Sequence, residues 1–378
     1  MKKLTLEALS STMLVLAACG SDGKSSNPKP KEPPTVPVTK TISGTAAAGV
    51  PIIGQVTVKD VNGKLKTTTI RADGTYTVDV SDMVAPFVFQ ATGTVGGRNV
   101  SLVSAATSDD IGQTINITPF TDLIVANIAG HAASKYFQNP QFDKLTTSEL
   151  NQATTTLTQR LLPILNELGV ESGFDLLRST FTADRTGFDA VMDVIRVSVD
   201  ETTNKALIED IINQTQIEDD LTSKTDNDVI TAPAIPLAGA VDNLVAIDAQ
   251  LAAFSALFKD KLPTVQALKA FFVSDGTFLQ GGLDLDDFIE SDLLDEYNLG
   301  LTLSSPVIVK KISDTELGVK FQISGFDEGV ESDYFVFKKE GNVWKIKGNQ
   351  RSVGVDVSSV NVYMPKGYYG RSEDGFER

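Results

Sequence analysis

One cysteine and one histidine limit what this chain of 378 residues can do chemically. Cys19 alone excludes an internal disulfide, a Cys-based zinc site and an iron–sulfur cluster. His131 alone excludes the common multi-histidine metal centres and leaves one candidate for any His-based triad. It follows Phe120, Leu123, Ile124 and Ile128 at helical spacing, and no G-x-S-x-G elbow accompanies it. It therefore reads as a partly buried residue satisfied by one hydrogen bond. Asp248 is in phase with Val241, Val245 and Leu251. A carboxylate facing an apolar pocket has a raised pKa and could act as a base. An exposed or capping Asp at the edge of the stripe is the competing reading. No catalytic residue is assigned, and Asp248 is the single candidate. The run Asp284, Asp286, Asp287, Glu290, Asp292, Asp295 and Glu296 has the side chains for Ca²⁺ but neither the EF-hand spacing nor its Gly. It reads as a solvated helix whose start favours Asp through the dipole. There is no phosphate loop, dinucleotide fingerprint or CxxC. The expectation is no metal and no cofactor.

The position of Cys19 carries more than its number. Lys2 and Lys3 precede an apolar stretch centred on Met13, Leu14, Val15 and Leu16. The stretch is far shorter than the ~20 residues a spanning helix needs. It ends in Leu16-Ala17-Ala18-Cys19-Gly20, which resembles the lipobox of bacterial lipoproteins. The resemblance implies that residues 1–18 are a signal peptide and that Cys19 is acylated and becomes the first residue of the mature chain. The lipid bilayer would then be a partner, and more than one acyl chain makes anchoring stable. Gly20 and Ser21 lack the Asp that retains such proteins in the inner membrane, so the resemblance implies outer-membrane placement in a Gram-negative host. Residues 19–40 hold Pro28, Pro30, Pro33, Pro34 and Pro37. Proline keeps such a segment out of helices and central strands. It reads as an extended tether, and at ~3.1 Å per residue it spans about 60 Å.

Composition bounds the number of domains and the class of partner. The chain is 41% hydrophobic and carries a net charge of −16. The length allows two or three domains. The acidic balance argues against nucleic acid, whose phosphates need clustered Lys and Arg.

Residues 41–118 alternate. Val56 and Val58 share a face, as do Tyr76, Val78 and Val80, Phe87 and Phe89, and Ile115 and Ile117. Asn62-Gly63, Asp73-Gly74 and Gly96-Gly97 separate the runs as turns. The pattern predicts an antiparallel all-β sandwich. Ser43-Gly44, Gly49, Pro51, Gly54, Val56, Val58, Asp60, Gly63 and Asp73-Gly74-Thr75-Tyr76 resemble the carboxypeptidase regulatory-like domain. That implies a transthyretin-like or immunoglobulin-like fold and an accessory role without catalysis. The Asp residues read as turn formers rather than calcium ligands.

Residues 119–232 are expected to be mainly α and to end in a linker. Thr118 and Pro119 suit the N-cap and first position of a helix. Thr146 to Glu149 offer a capping box ahead of the stripe Leu150, Ala153, Leu157, Leu161, Ile164 and Leu168, with Gly169 as C-cap and Pro163 as a kink. A short element around 188–195 and a small hairpin from Ile195 to Ile211 come next, and the polar residues 216–236 read as linker.

Residues 237–363 place helices before strands. Val241 to Phe258 mark one helix, Val265 to Phe272 a second and residues 283–297 a third. Strands are expected at Val307, Leu317–Ile323, Tyr334, Val343–Ile346 and Val353–Val357, with Gly341-Asn342 as a tight turn. The order and the phrase 334–346 resemble the NTF2-like α+β cone, whose curved sheet encloses a pocket in some members. Residues 364–378 read as a disordered tail. The whole predicts a multidomain chain: an all-β sandwich, a mainly α region, then an NTF2-like cone. The expected role is that of a membrane-anchored, non-catalytic interaction or scaffold protein with an unidentified protein or glycan partner. The alternatives are a small-ligand binder or enzyme using the cone, and a carbohydrate-binding surface protein.

Overall fold

The computed structural model describes residues 40–223, 228–326 and 329–351. Cys19 and its flanking Leu16, Ala17, Ala18 and Gly20, the tether, the strand expected at Val353–Val357 and the tail lie outside the described residues.

Strands β1 (Thr41–Thr45), β2 (Ile53–Asp60), β3 (Leu65–Thr69), β4 (Thr75–Asp79), β5 (Phe87–Val95) and β6 (Arg98–Ala106) form two antiparallel sheets. One pairs β1 with β4 and the other runs β3-β2-β5-β6. Alternation has the effect the sequence suggests: Val56, Val58, Tyr76, Val78, Phe87 and Phe89 are buried. The Asp residues build turns. Asp60 accepts the N–H groups of Asn62 and Lys64 on one oxygen and that of Val84 on the other. Asp73 accepts both the N–H and the hydroxyl of Thr75. Residues 114–117 lie parallel to β1, where Ile115 and Ile117 donate to the carbonyls of Ser43 and Thr45.

Helix α1 (Pro119–Ala129) starts where Thr118 Oγ1 accepts the Thr121 N–H and stops at Gly130 in the left-handed region. His131 therefore lies beyond the helix rather than on its apolar phase, and its Nδ1 is 3.0 Å from the Ala132 carbonyl. Asp122 on α1 holds the Val103 N–H of β6 at 2.8 Å, and burial pushes its carboxyl up to about 7. After α2 (Ala133–Gln138), Thr146 caps α3 (Thr147–Glu167). The helix runs on past Pro163 and ends in a Schellman motif, with Gly169 donating to Asn166 and Val170 to Leu165.

Helix α4 (Gly187–Val194) leads into a three-stranded antiparallel meander, β7 (Ile195–Asp200), β8 (Lys205–Asp210) and β9 (Thr215–Asp220). The region is thus not purely helical, and the expected hairpin has a third strand. The first residues of the expected linker are β9. Ile217 pairs with Ile208, and Asp219 is buried against Arg160 of α3. Of the acidic residues that mark this stretch as linker, Asp219 is neutralised by a partner far away in sequence, and Glu218 pairs with Lys205 on β8.

Helix α5 (Leu237–Ala256) precedes α6 (Val265–Lys269) and α7 (Leu285–Phe288), and one π-helical turn, Ile289–Leu293, follows α7. Strands β10 (Thr302–Ser313), β11 (Glu316–Phe326), β12 (Gly329–Glu340) and β13 (Val343–Gly348) pair antiparallel in sequence order, with Gly341-Asn342 between the last two. The second helix is shorter than its pattern suggests. After Lys269 the chain extends along β13, where Ile346 donates to Phe271 and Val273 to Ile346. The third is broken into α7, the π turn and a 3₁₀ turn at Glu296–Asn298. By length and a mean hydropathy of 1.3, α5 could cross a membrane. Here its Leu237, Leu244, Ile247, Leu251 and Phe254 are buried. Its Asn243 accepts the indole N–H of the buried Trp344 on β13.

Candidate functional site

Asp248 is half-buried on α5, but the helix is rotated relative to the expected stripe. Val245 is 49% exposed, and the buried line runs through Val241, Leu244, Ile247 and Leu251. Asp248 sits on the flank of that line. Its electrostatic partners are Arg185, just before α4, and Asp193, on α4. The sequence pattern singles out neither of these.

Arg185 precedes α4 with φ +62, a left-handed conformation uncommon outside glycine. Its N–H donates to Asp189 Oδ2 at 2.7 Å, its Nη1 to Asp193 Oδ1 at 2.8 Å and its Nη2 to the Pro306 carbonyl of β10 at 2.7 Å. All three side chains are buried, and Asp189 Oδ1 and Asp193 Oδ2 have no hydrogen-bond partner. Burial pushes Asp189 up to about 6 and Asp193 up to about 8, with Arg185 pulling both back. Burial also raises Asp248 above the ordinary carboxylate range. The signal available in the sequence was two Asp residues, four apart, in the otherwise apolar run Phe188 to Val194.

Beside α5 and the sheet β10–β13 lies a cluster of phenylalanines. Phe254, Phe258, Phe272, Phe278 and Phe288 are all buried, and Phe272 meets Phe254, Phe278 and Phe288 edge-on. Such contacts add about 0.5–1.5 kcal/mol each beyond burial.

A shallow cleft lies between α1, α3 and β9, lined by Asn127, Gln152, Thr156, Arg160, Asp219 and Ser223 among others. Its sheltered volume is about 50 Å³, room for a few waters. At its floor Arg160 Nη1 meets Asp219 Oδ1 at 2.7 Å, and Asn127 donates to Asp219 Oδ2. In the acidic run, Asp284 and Asp295 cap short helical turns and Asp286 pairs with Lys269. Among the described residues no three His, Cys, Asp or Glu side chains are grouped to hold a metal ion.

Comparison with known protein families, with curated proteins and with solved structures finds no match for this chain.

Proposed function

We propose that this chain is a lipid-anchored protein of the bacterial envelope whose folded part is a non-catalytic interaction or scaffold module. The anchor reading rests on Leu16-Ala17-Ala18-Cys19-Gly20 at the end of a short apolar stretch. A sandwich of carboxypeptidase regulatory-like kind for residues 41–118 is supported by the two antiparallel sheets and by a tilted ring contact between Tyr76 of β4 and Phe89 of β5, one from each sheet. An NTF2-like relationship for residues 237–363 is supported by the helices packed on one four-stranded meander.

The observation that carries the non-catalytic role is the phenylalanine packing under α5. A binder or enzyme using the cone needs an open cavity with polar groups converging on it. Phe254, Phe258 and Phe272 are buried and packed together there, and Asp248 lies in the field of Arg185. A carbohydrate-binding reading loses its residues as well, because Tyr76, Phe87 and Phe89 are buried rather than offered to a sugar face.

The anchor is tested by Cys19→Ala in the producing cell. The expected result is that the variant moves from the membrane pellet to the soluble fraction and that acyl labelling is lost. A variant that still pellets with membranes overturns the reading.

A further inference from the structure

We propose that Arg185, Asp189, Asp193 and Asp248 form a proton-binding site that controls how firmly α4 is held against β10 and α5. The proposal concerns the folded part alone and is independent of the anchor.

Its basis is geometry. The Arg185 guanidinium pairs with Asp193 of α4, the Arg185 backbone N–H donates to Asp189 of α4, and Asp248 of α5 shares the field of Arg185 and Asp193. A fourth, Asp184, adds its field at the exposed rim, with one oxygen taken by Thr186. Among the described residues, the charged groups that act on the three carboxylates most strongly are Arg185, Asp184 and the carboxylates themselves. β10 presents the Pro306 carbonyl, already bonded to Arg185 Nη2. The loop between β1 and β2 presents Gly49, where a Cβ would lie 2.5 Å from Asp193 Oδ1, so the backbone comes close to that carboxylate. Fully ionised, the site would hold more negative charge than Arg185 offsets. Two of its carboxylate oxygens, Asp189 Oδ1 and Asp193 Oδ2, are sealed from water without a donor. A buried, unpaired carboxylate is far more costly than a neutral carboxyl. The site relieves that cost by taking up a proton.

The site joins parts of the chain far apart in sequence. Arg185 reaches β10 across 121 positions, and Asp248 lies on the helix that covers the last sheet. Ionisation therefore sets α4 and α5 against each other through like charge. The raised values of Asp189 and Asp193 fix the sign. The folded state binds more protons than the unfolded chain above the ordinary carboxylate range, so this contribution is complete in acid. It is lost as pH rises through about 6 for Asp189 and about 8 for Asp193.

The test is hydrogen–deuterium exchange of the full chain across about pH 5 to 9, corrected for intrinsic rates, alongside ¹³C-carboxyl NMR of the Asp residues. The wild type should lose protection in α4 and α5 by roughly tenfold or more over the upper half of that range, tenfold being one pH unit of linkage. One Asp carboxyl should titrate above neutrality and vanish in Asp193→Asn, and that variant's exchange profile should be flat above about pH 7, leaving only the Asp189 step near 6. Asp248→Asn changes a half-exposed residue and serves if Asp193→Asn fails to fold. It should lower the midpoint of the remaining high carboxyl by removing a like charge. Carboxyls that all titrate in the ordinary range, or exchange profiles that are parallel in the wild type and Asp248→Asn, overturn the proposal.

Discussion

Arg160 shows how a single buried charge organises this fold. The side chain is 3% exposed on α3, and its three nitrogens reach Asp219, the Glu218 carbonyl and the Asp228 carbonyl. A guanidinium satisfied in this way draws an acidic, otherwise soluble stretch onto the helix and makes it strand β9. Deleting the charge leaves Asp219 buried with Asn127 as its remaining side-chain donor. Breaking one side of a buried pair costs about 3–5 kcal/mol, whereas neutralising both sides costs much less. Arg160→Met should therefore lower stability by about that amount in urea titration. Arg160→Met/Asp219→Asn should recover a clear part of it. A double variant as unstable as the sum of the single ones would mean the pair is not coupled.

Among the elements, the β5–β6 hairpin shows how a local turn signal acquires a long-range duty. Gly96 and Gly97 have φ of +54 and +70, as a two-residue hairpin requires. The same turn is pressed onto the last sheet. A Cβ on Gly97 would lie 2.5 Å from Ser332 Cβ and 2.7 Å from the Glu331 carbonyl. Gly63 has a similar φ of +78 with nothing nearby. Gly63→Ala should therefore cost only the left-handed conformation, about 1–2 kcal/mol, and Gly97→Ala about 2–4 kcal/mol once overpacking is added. Equal losses for the two in chemical denaturation would show that the hairpin does not bear on β12. The contrast also marks what was legible in the sequence. Period-two alternation, the caps Thr118 and Thr146, and Gly63, Gly74 and Gly341 depend on neighbours a few residues away. They place the strands and helices they flank. β9 was hidden because its Asp219 is neutralised from α3. The Arg185 site was hidden because it closes only when α5 and β10 arrive. Asp248 stood out by its place beside an apolar stripe, and it lies on the flank of the buried line through Leu244, Ile247 and Leu251, at the stripe's edge.

For the molecule as a whole, the three parts that the sequence marks off within residues 41–363 are joined by contacts across their boundaries and fall in one contact unit. The boundary at 118/119 is crossed by Asp110 pairing with Arg178, by Asn116 donating to the Ser179 carbonyl and by Thr45 donating to the Phe181 carbonyl. Phe120 of α1 packs on Phe188 of α4. The boundary at 232/237 is crossed by Arg185 reaching Pro306 and Arg196 reaching the Val309 carbonyl, so arginines cover acceptors along β10. Buried hydrogen bonds and ion pairs lose their satisfaction when one partner part unfolds first, which ties the parts into a shared transition. Calorimetry of the full chain should therefore show one unfolding peak with matching calorimetric and van't Hoff enthalpies. Two resolved peaks would mean that these crossing contacts are too weak to couple the parts. A chain ended at residue 236 should then fold unaided, although Arg185 and Arg196 would have lost the carbonyls they hold.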